Sequence, residues 1–178
     1  MSLLNIELRH PLLEDGMAVH RLIERCPPLD PNSSYCNLLQ CSHFSQTSVA
    51  AESAGELVGF ISGYLQPQRP DTLFIWQVAV DARARGVGLA SRMLLEILSR
   101  SACAGVCYLE TTITADNQPS WALFQGLAKR LSAECNAGEW MDRQRHFDGQ
   151  HDSEQLVRIG PFTSPSAHSP LQTPQSNR

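Results

Sequence analysis

Residues 76–90 (Trp-Gln-Val-Ala-Val-Asp-Ala-Arg-Ala-Arg-Gly-Val-Gly-Leu-Ala) constrain the fold more than any other stretch. An apolar, strand-like run meets a turn holding Gly86 and Gly88. The turn opens at once into a helix with Ala90, Met93, Leu94, Ile97 and Leu98 on one face. Two glycines at such a junction let a ligand approach the backbone and bring several N–H groups to one point. The helix N-terminus adds roughly half a positive charge, and Arg83 and Arg85 add whole ones. The turn suits a pyrophosphate; the same residues also suit a tight turn whose arginines face water. It is neither a Walker loop, since no Gly-Lys-Ser/Thr follows, nor the dinucleotide Gly-x-Gly-x-x-Gly.

The hydrophobic periods on either side alternate between strand and helix. The spacing predicts a short strand at residues 4–9 and a helix at 14–25 opened by Asp15 and stopped by Pro27 and Pro28. A second helix follows, capped by Asn32 or Ser33. Strand-like runs cover 45–52, 56–66 and 72–80, the first two joined by Ser53-Ala-Gly55. After the glycine turn and its helix come a strand at 106–114 and a helix from Ser120. Two short candidates, 141–147 and 155–159, close the chain as a hairpin. Hairpins followed by a strand–helix–strand unit make a mixed sheet flanked by helices, an α/β fold.

Composition bounds the rest. The chain has 178 residues, 42% of them hydrophobic and 18% charged, enough for one folded domain with a sizeable core. Residues 163–178 shift abruptly to Pro, Ser, Thr and Gln and read as a disordered tail, which leaves a domain at 3–162. A net charge of −4 argues against a nucleic-acid partner. No apolar run reaches membrane-spanning length, and the N-terminus does not read as a signal peptide, so a cytoplasmic protein is expected. Six cysteines without a Cys-x-x-Cys pair read as reduced thiols; no metal site is expected.

Arg83-x-x-Gly86-x-Gly88 resembles the Arg/Gln-x-x-Gly-x-Gly/Ala signature of the GNAT acyltransferases, whose element order is also the one read above. Asp116-Asn117-Gln-Pro-Ser120-Trp121-Ala-Leu-Phe124 resembles that family's Asn-x-x-Ala-x-x-x-Tyr segment, with Phe124 where many members carry a proton-donating tyrosine. The resemblance implies a mostly antiparallel mixed sheet with a splayed fourth and fifth strand pair, about four helices, and acetyl-CoA as co-substrate. The implied cofactor residues are Val78, Ala79 and Val80 on the strand, Arg83, Arg85, Gly86, Val87, Gly88, Leu89 and Ala90 around the turn, and Asn117 beside the pantetheine arm.

Stretches at 26–35, 40–47, 74–78, 146–154 and 158–162 are similar to the L-2,4-diaminobutyrate acetyltransferases of ectoine biosynthesis, over the whole folded domain. That resemblance implies acetylation of the γ-amine of L-2,4-diaminobutyrate. Such an acceptor carries two ammonium groups, for which Asp30 and Glu154 supply charge and Trp76 an aromatic wall. An amine with a lysine-like pKa near ~10.4 is neutral only about once in two thousand molecules at pH 7, so a base is required. His151, three residues before Glu154, is the base candidate, and Tyr35 is the acid candidate in place of Phe124. Backbone amides after Gln77 are the expected oxyanion donors. Glu110 reads as structural. A homodimer through late strands is expected. Acetylation of another small amine or of a protein amine stays open, as does a non-catalytic acyl-CoA-binding module.

Overall fold

The computed structural model describes residues 5–165. Seven strands form one sheet: β1 (Glu7–Arg9), β2 (Val49–Ser53), β3 (Glu56–Gln66), β4 (Arg69–Val80), β5 (Tyr108–Thr114), β6 (Cys135–Met141) and β7 (Glu154–Ile159). Their order is β1-β2-β3-β4-β5-β7-β6, antiparallel throughout except for the parallel pair β4 and β5. Five helices flank it: α1 (Gly16–Glu24), α2 (Ser34–Ser42), α3 (Leu89–Ser99), α4 (Gln118–Arg130) and the short α5 (Arg143–Phe147).

Alternation along the strands divides the core in two. Val49 and Ala51 of β2 face Met93, Leu94 and Ile97 of α3, together with Phe124 and Leu127 of α4. Ala50 between them faces the other way, into a cluster of Val19, Leu22 and Ile23 from α1 with Phe60. The helix starts follow from local chemistry. The Ser33 hydroxyl accepts from the Cys36 N–H at the head of α2, and Asn117 Oδ1 accepts from the Ser120 N–H at the head of α4.

Several expected boundaries change. The strand expected over 45–52 starts only at Val49, because Ser45–Thr47 turn as a 3-10 segment and the Thr47 hydroxyl donates to Gly63 O at 2.6 Å. The terminal hairpin takes its first strand from β6, ahead of the expected segment 141–147, most of which folds instead as the helix α5. Within the stretch read from composition as a tail from 163, Ser164 is buried, its hydroxyl 3.1 Å from the carbonyls of Leu98 and Cys103. Residues 166–178 of that tail lie outside the described residues. Among the described residues, no helix is long and apolar enough to cross a membrane.

What positions the site is the parting of β4 from β5. Their register runs from Thr72↔Tyr108 to Ile75↔Thr111 and stops there, closed by the Thr111 hydroxyl donating to Ile75 O at 3.0 Å. Beyond it β4 continues with β3 alone, and β5 with β7. At the same point the β3–β4 register skips Trp76, so that Ser62 faces Gln77 and Gly63 faces Ile75. This bulge re-aims the indole, which is 45% exposed. Gly63 is required opposite it: a Cβ there would lie 2.9 Å from Phe74 O and 3.0 Å from Thr47 O.

Candidate active site

Two cavities lie along β4. The first, about 190 Å³, sits where β4 ends and α3 begins, and is lined by Val80, Arg85, Gly86, Gly88, Leu89 and Ala90, with Ala84, Ser91 and Leu123. Gly86 and Gly88 have φ of +77° and +73°, a region that costs an L-residue roughly 1–2 kcal/mol, and a Cβ on either would meet nothing within 4 Å. The glycines therefore shape the turn and leave its concave side open. The N-terminus of α3 and the Arg85 side chain, whose Nε donates to Val80 O at 3.0 Å, give the cavity positive character.

Arg83 does not join them. Its guanidinium is 3.1 Å from Asp81 Oδ1 and 3.0 Å from Glu56 Oε2, while its N–H donates to the Asp81 carboxylate. Hydrogen bonds from the Arg83 side chain and N–H hold the Asp81 carboxyl down at about 2. Arg83 builds the turn from outside and lies off the cavity lining. Asn117 caps α4 and lines neither cavity. Val87 is exposed and off the lining, and Ala79 is fully buried, as Val78 is in part, so these two strand residues offer only backbone.

The second cavity, about 330 Å³, opens where β4 and β5 part, and it brings Asp30, Trp76, His151 and Glu154 together. Asp30 arrives from the loop between α1 and α2, Trp76 from the bulge, and Glu154 from the first residue of β7. His151 lies between the two acids, with Nε2 3.4 Å from Asp30 Oδ2 and 3.8 Å from Glu154 Oε1. Its Nδ1 is 2.7 Å from the Asp152 carbonyl, which can only accept, so Nδ1 carries a proton and Nε2 is the nitrogen that faces the cavity. The Asp152 carbonyl, and then the charges of Glu154, Asp30 and Asp152, raise the imidazole above its ordinary pKa against partial burial. Burial also raises Glu154, opposed by His151 and by a hydrogen bond with Thr112.

Tyr35 is not part of this group. It stands 68% exposed in the first turn of α2 and lines neither cavity, so it is not placed to act there as the acid expected from the sequence. Phe124, also without a proton to give, is core.

Of the aromatic wall, the sequence reading found only Trp76. Tyr64 and Phe74 face each other in register with rings 5.3 Å apart, and Trp140 of β6 lies 6.3 Å from Phe74. Phe147, Met141 and Thr112 complete the lining. Alternation over 56–66 and 72–80 puts Tyr64 and Phe74 on one face, a signal available in the sequence; Trp140 has none, because β6 itself was not read. Glu110 is structural as expected: it is buried, takes Arg69 at 2.7 Å and Arg158, and these two hold it below the ordinary carboxylate range against its burial. Cys41 and Cys103 are buried thiols, pushed up by burial to about 12 and about 11.

Residues 17–128 match the model of the Acetyltransferase (GNAT) family. The chain is 58% identical over 162 residues to an L-2,4-diaminobutyric acid acetyltransferase from Methylotuvimicrobium alcaliphilum, covering 91% of this chain and 94% of the relative. It is 48% identical over 156 residues to one from Halomonas elongata, with 87% and 81% covered. Among solved structures it resembles the diaminobutyrate acetyltransferase EctA from Paenibacillus lautus, in complex with L-2,4-diaminobutyric acid and coenzyme A. The TM-score is 0.86 at 39% identity, covering 89% of this chain and 96% of that one.

Proposed function

Because the chain belongs to the GNAT acetyltransferase family, we propose that it transfers the acetyl group of acetyl-CoA to the γ-amine of L-2,4-diaminobutyrate, the step that supplies ectoine synthesis. The observation that carries this reading is the convergence of Asp30, His151, Glu154 and Trp76 in one cavity at the β4–β5 parting, one short strand run from the glycine turn.

The turn suits the pyrophosphate of acetyl-CoA: amides around Gly86 and Gly88, the start of α3 and Arg85 all present positive charge to an open concave space. The thioester then runs along β4 toward the parting, where the amides past Gln77 are released from β5 and can donate to the developing oxyanion. In the second cavity, carboxylates on two sides and an indole face suit a cationic acceptor. His151 Nε2 takes a proton from the γ-ammonium. The freed nitrogen lone pair attacks the thioester carbonyl, collapse of the tetrahedral adduct breaks the C–S bond, and the second proton left on nitrogen passes to the departing thiolate, giving the amide and the free CoA thiol. A thiol with a pKa near ~8.5 leaves as thiolate without an obligatory acid, which removes the need for a tyrosine at either Tyr35 or Phe124.

In the same proposal the enzyme works as a cytoplasmic homodimer in cells under osmotic stress. Its late strands support the dimer: β6 is the outer edge of the sheet and nearly all of it is exposed.

A screen of amine acceptors with acetyl-CoA, read by thiol release, tests the function. Diaminobutyrate is expected to give the highest kcat/KM, with mass spectrometry placing the acetyl group on the γ-nitrogen. Acetylation at the α-nitrogen, or a clear preference for lysine, a polyamine or a peptide, contradicts it. Binding of acetyl-CoA without transfer to any amine leaves only an acyl-CoA-binding module.

A further inference from the structure

We propose that Gln77, acting through Asn32 and the Asp30 backbone, is a positioning residue that sets the length of diamine the acceptor cavity takes. The inference rests on the proposed function and deepens it. Asp30 presents its carboxylate to the cavity, yet that side chain is 79% exposed, so packing does not fix it. Its position must come from its backbone. The loop at 25–33 is tied at both ends. Cys26 is buried with its thiol 3.4 Å from Val80 O, Leu29 N–H donates to Cys26 O, and the Ser33 hydroxyl caps α2. Between these ends, the hydrogen bonds that tie residues 30–32 to the sheet, among the described residues, both come from Gln77. Its Nε2 donates to Asp30 O at 3.1 Å, and its Oε1 accepts from Asn32 Nδ2 at 3.0 Å.

Gln77 is itself buried, and it follows Trp76 directly after the bulge. One amide side chain thus fixes Asp30 relative to the indole wall. The opposing acid is fixed separately, since Glu154 opens β7 and pairs with Thr114 of β5. The gap between the two acids is therefore a distance between β4 and β7, transmitted to Asp30 through the Gln77 amide. A cationic acceptor has to reach the His151 Nε2 with one amine while its other amine stays within reach of an acid, so the spacing of its amines has to match this fixed group. One methylene too many or too few in a well-defined site is worth about 10–200-fold in kcat/KM. Loosening the loop lets Asp30 follow the ligand, and the discrimination shrinks.

The test compares diaminobutyrate with ornithine, one methylene longer, and with 2,3-diaminopropionate, one shorter. Gln77→Met keeps the side-chain length and removes both hydrogen bonds; Asn32→Ala removes one. Both variants are expected to raise KM for diaminobutyrate about tenfold, as loss of a buried hydrogen bond worth ~1–1.5 kcal/mol implies. The preference for diaminobutyrate over its neighbours is expected to contract several-fold. Acetyl-CoA affinity by calorimetry stays within about twofold, because the glycine turn lies at the other end of β4's free segment. The double variant is expected to match Gln77→Met alone, since the Asn32 contact is already lost. An unchanged preference ratio overturns the proposal, and so does a parallel loss of diaminobutyrate and acetyl-CoA affinity, the mark of a merely structural residue. Should Gln77→Met fail to fold, Asn32→Ala decides by the same ratio. Should the wild type prefer another diamine, the proposed function falls. The positioning role is then judged on that diamine and its neighbours by one methylene.

Discussion

His151 is where single-residue chemistry is most exposed to test. A general base works in its neutral form, so kcat/KM is expected to rise with pH through the imidazole's pKa in the free enzyme. The Asp152 carbonyl and the facing carboxylates raise that pKa, so the inflection lies above the ordinary histidine value near ~6.5. Asp30→Asn removes one facing charge and is expected to move the inflection to lower pH. A pH–rate profile of the two proteins checks both statements, and an inflection that Asp30→Asn leaves in place contradicts them. Tyr35→Phe makes the opposite kind of prediction: near-wild-type turnover, because the ring is exposed and off both cavities. A hundredfold loss in steady-state assays would restore it to the chemistry. At this scale the sequence was legible where a residue's chemistry matched the ligand's, as with Asp30, Trp76, His151 and Glu154. It was not legible where direction decided. Spacing cannot say that Arg83 turns back onto Asp81 and Glu56, nor that the Asn117 amide is spent on a helix cap.

Among the elements, the turn between β4 and α3 was the most readable, because glycine takes its positive φ values without the cost an L-residue meets and because apolar spacing marks the helix that follows. Gly86→Asp is expected to abolish acetyl-CoA binding in calorimetry, since it adds strain and a negative charge in the space left for the pyrophosphate. Gly105→Asp, whose side chain also enters open space but away from the cavity, is expected to bind normally. Equal binding by the two variants would remove the phosphate role from the turn. Asp81→Asn acts on the same element from outside, weakening the cap that receives the Arg83 N–H and the pairs to Arg83 and Arg25. It is expected to cost about 1 kcal/mol or somewhat more in denaturant unfolding and to weaken acetyl-CoA binding, with KM for diaminobutyrate nearly unchanged. Elements failed to show where their patterning is poor. β6, Cys-Asn-Ala-Gly-Glu-Trp-Met, has no β-branched residue and is exposed from Cys135 to Trp140, so neither propensity nor alternation reveals it. With it went Trp140, the ring that β6 adds to the cavity's aromatic wall.

For the whole molecule, the alternation of hairpins and helices was enough to read the α/β class, and the family resemblance supplied the parting of the fourth and fifth strands. The cavity itself comes from assembly. Asp30, Trp76 and Glu154 are brought together from a loop and two strands, and no local pattern contains the distances between them. The central claim is that this assembled cavity holds the cationic acceptor while the glycine turn independently holds acetyl-CoA. The most direct measurement is kcat/KM for diaminobutyrate in Glu154→Gln, paired with calorimetry of acetyl-CoA on the same protein. The substitution removes a partly buried charge that faces the His151 imidazole and the cavity proposed to take the ammonium. A fall of about a hundredfold or more in kcat/KM, with acetyl-CoA affinity within about twofold of wild type, is the expected result. A kcat/KM within a few-fold of wild type would contradict the claim, because the acceptor would then be bound and activated somewhere else.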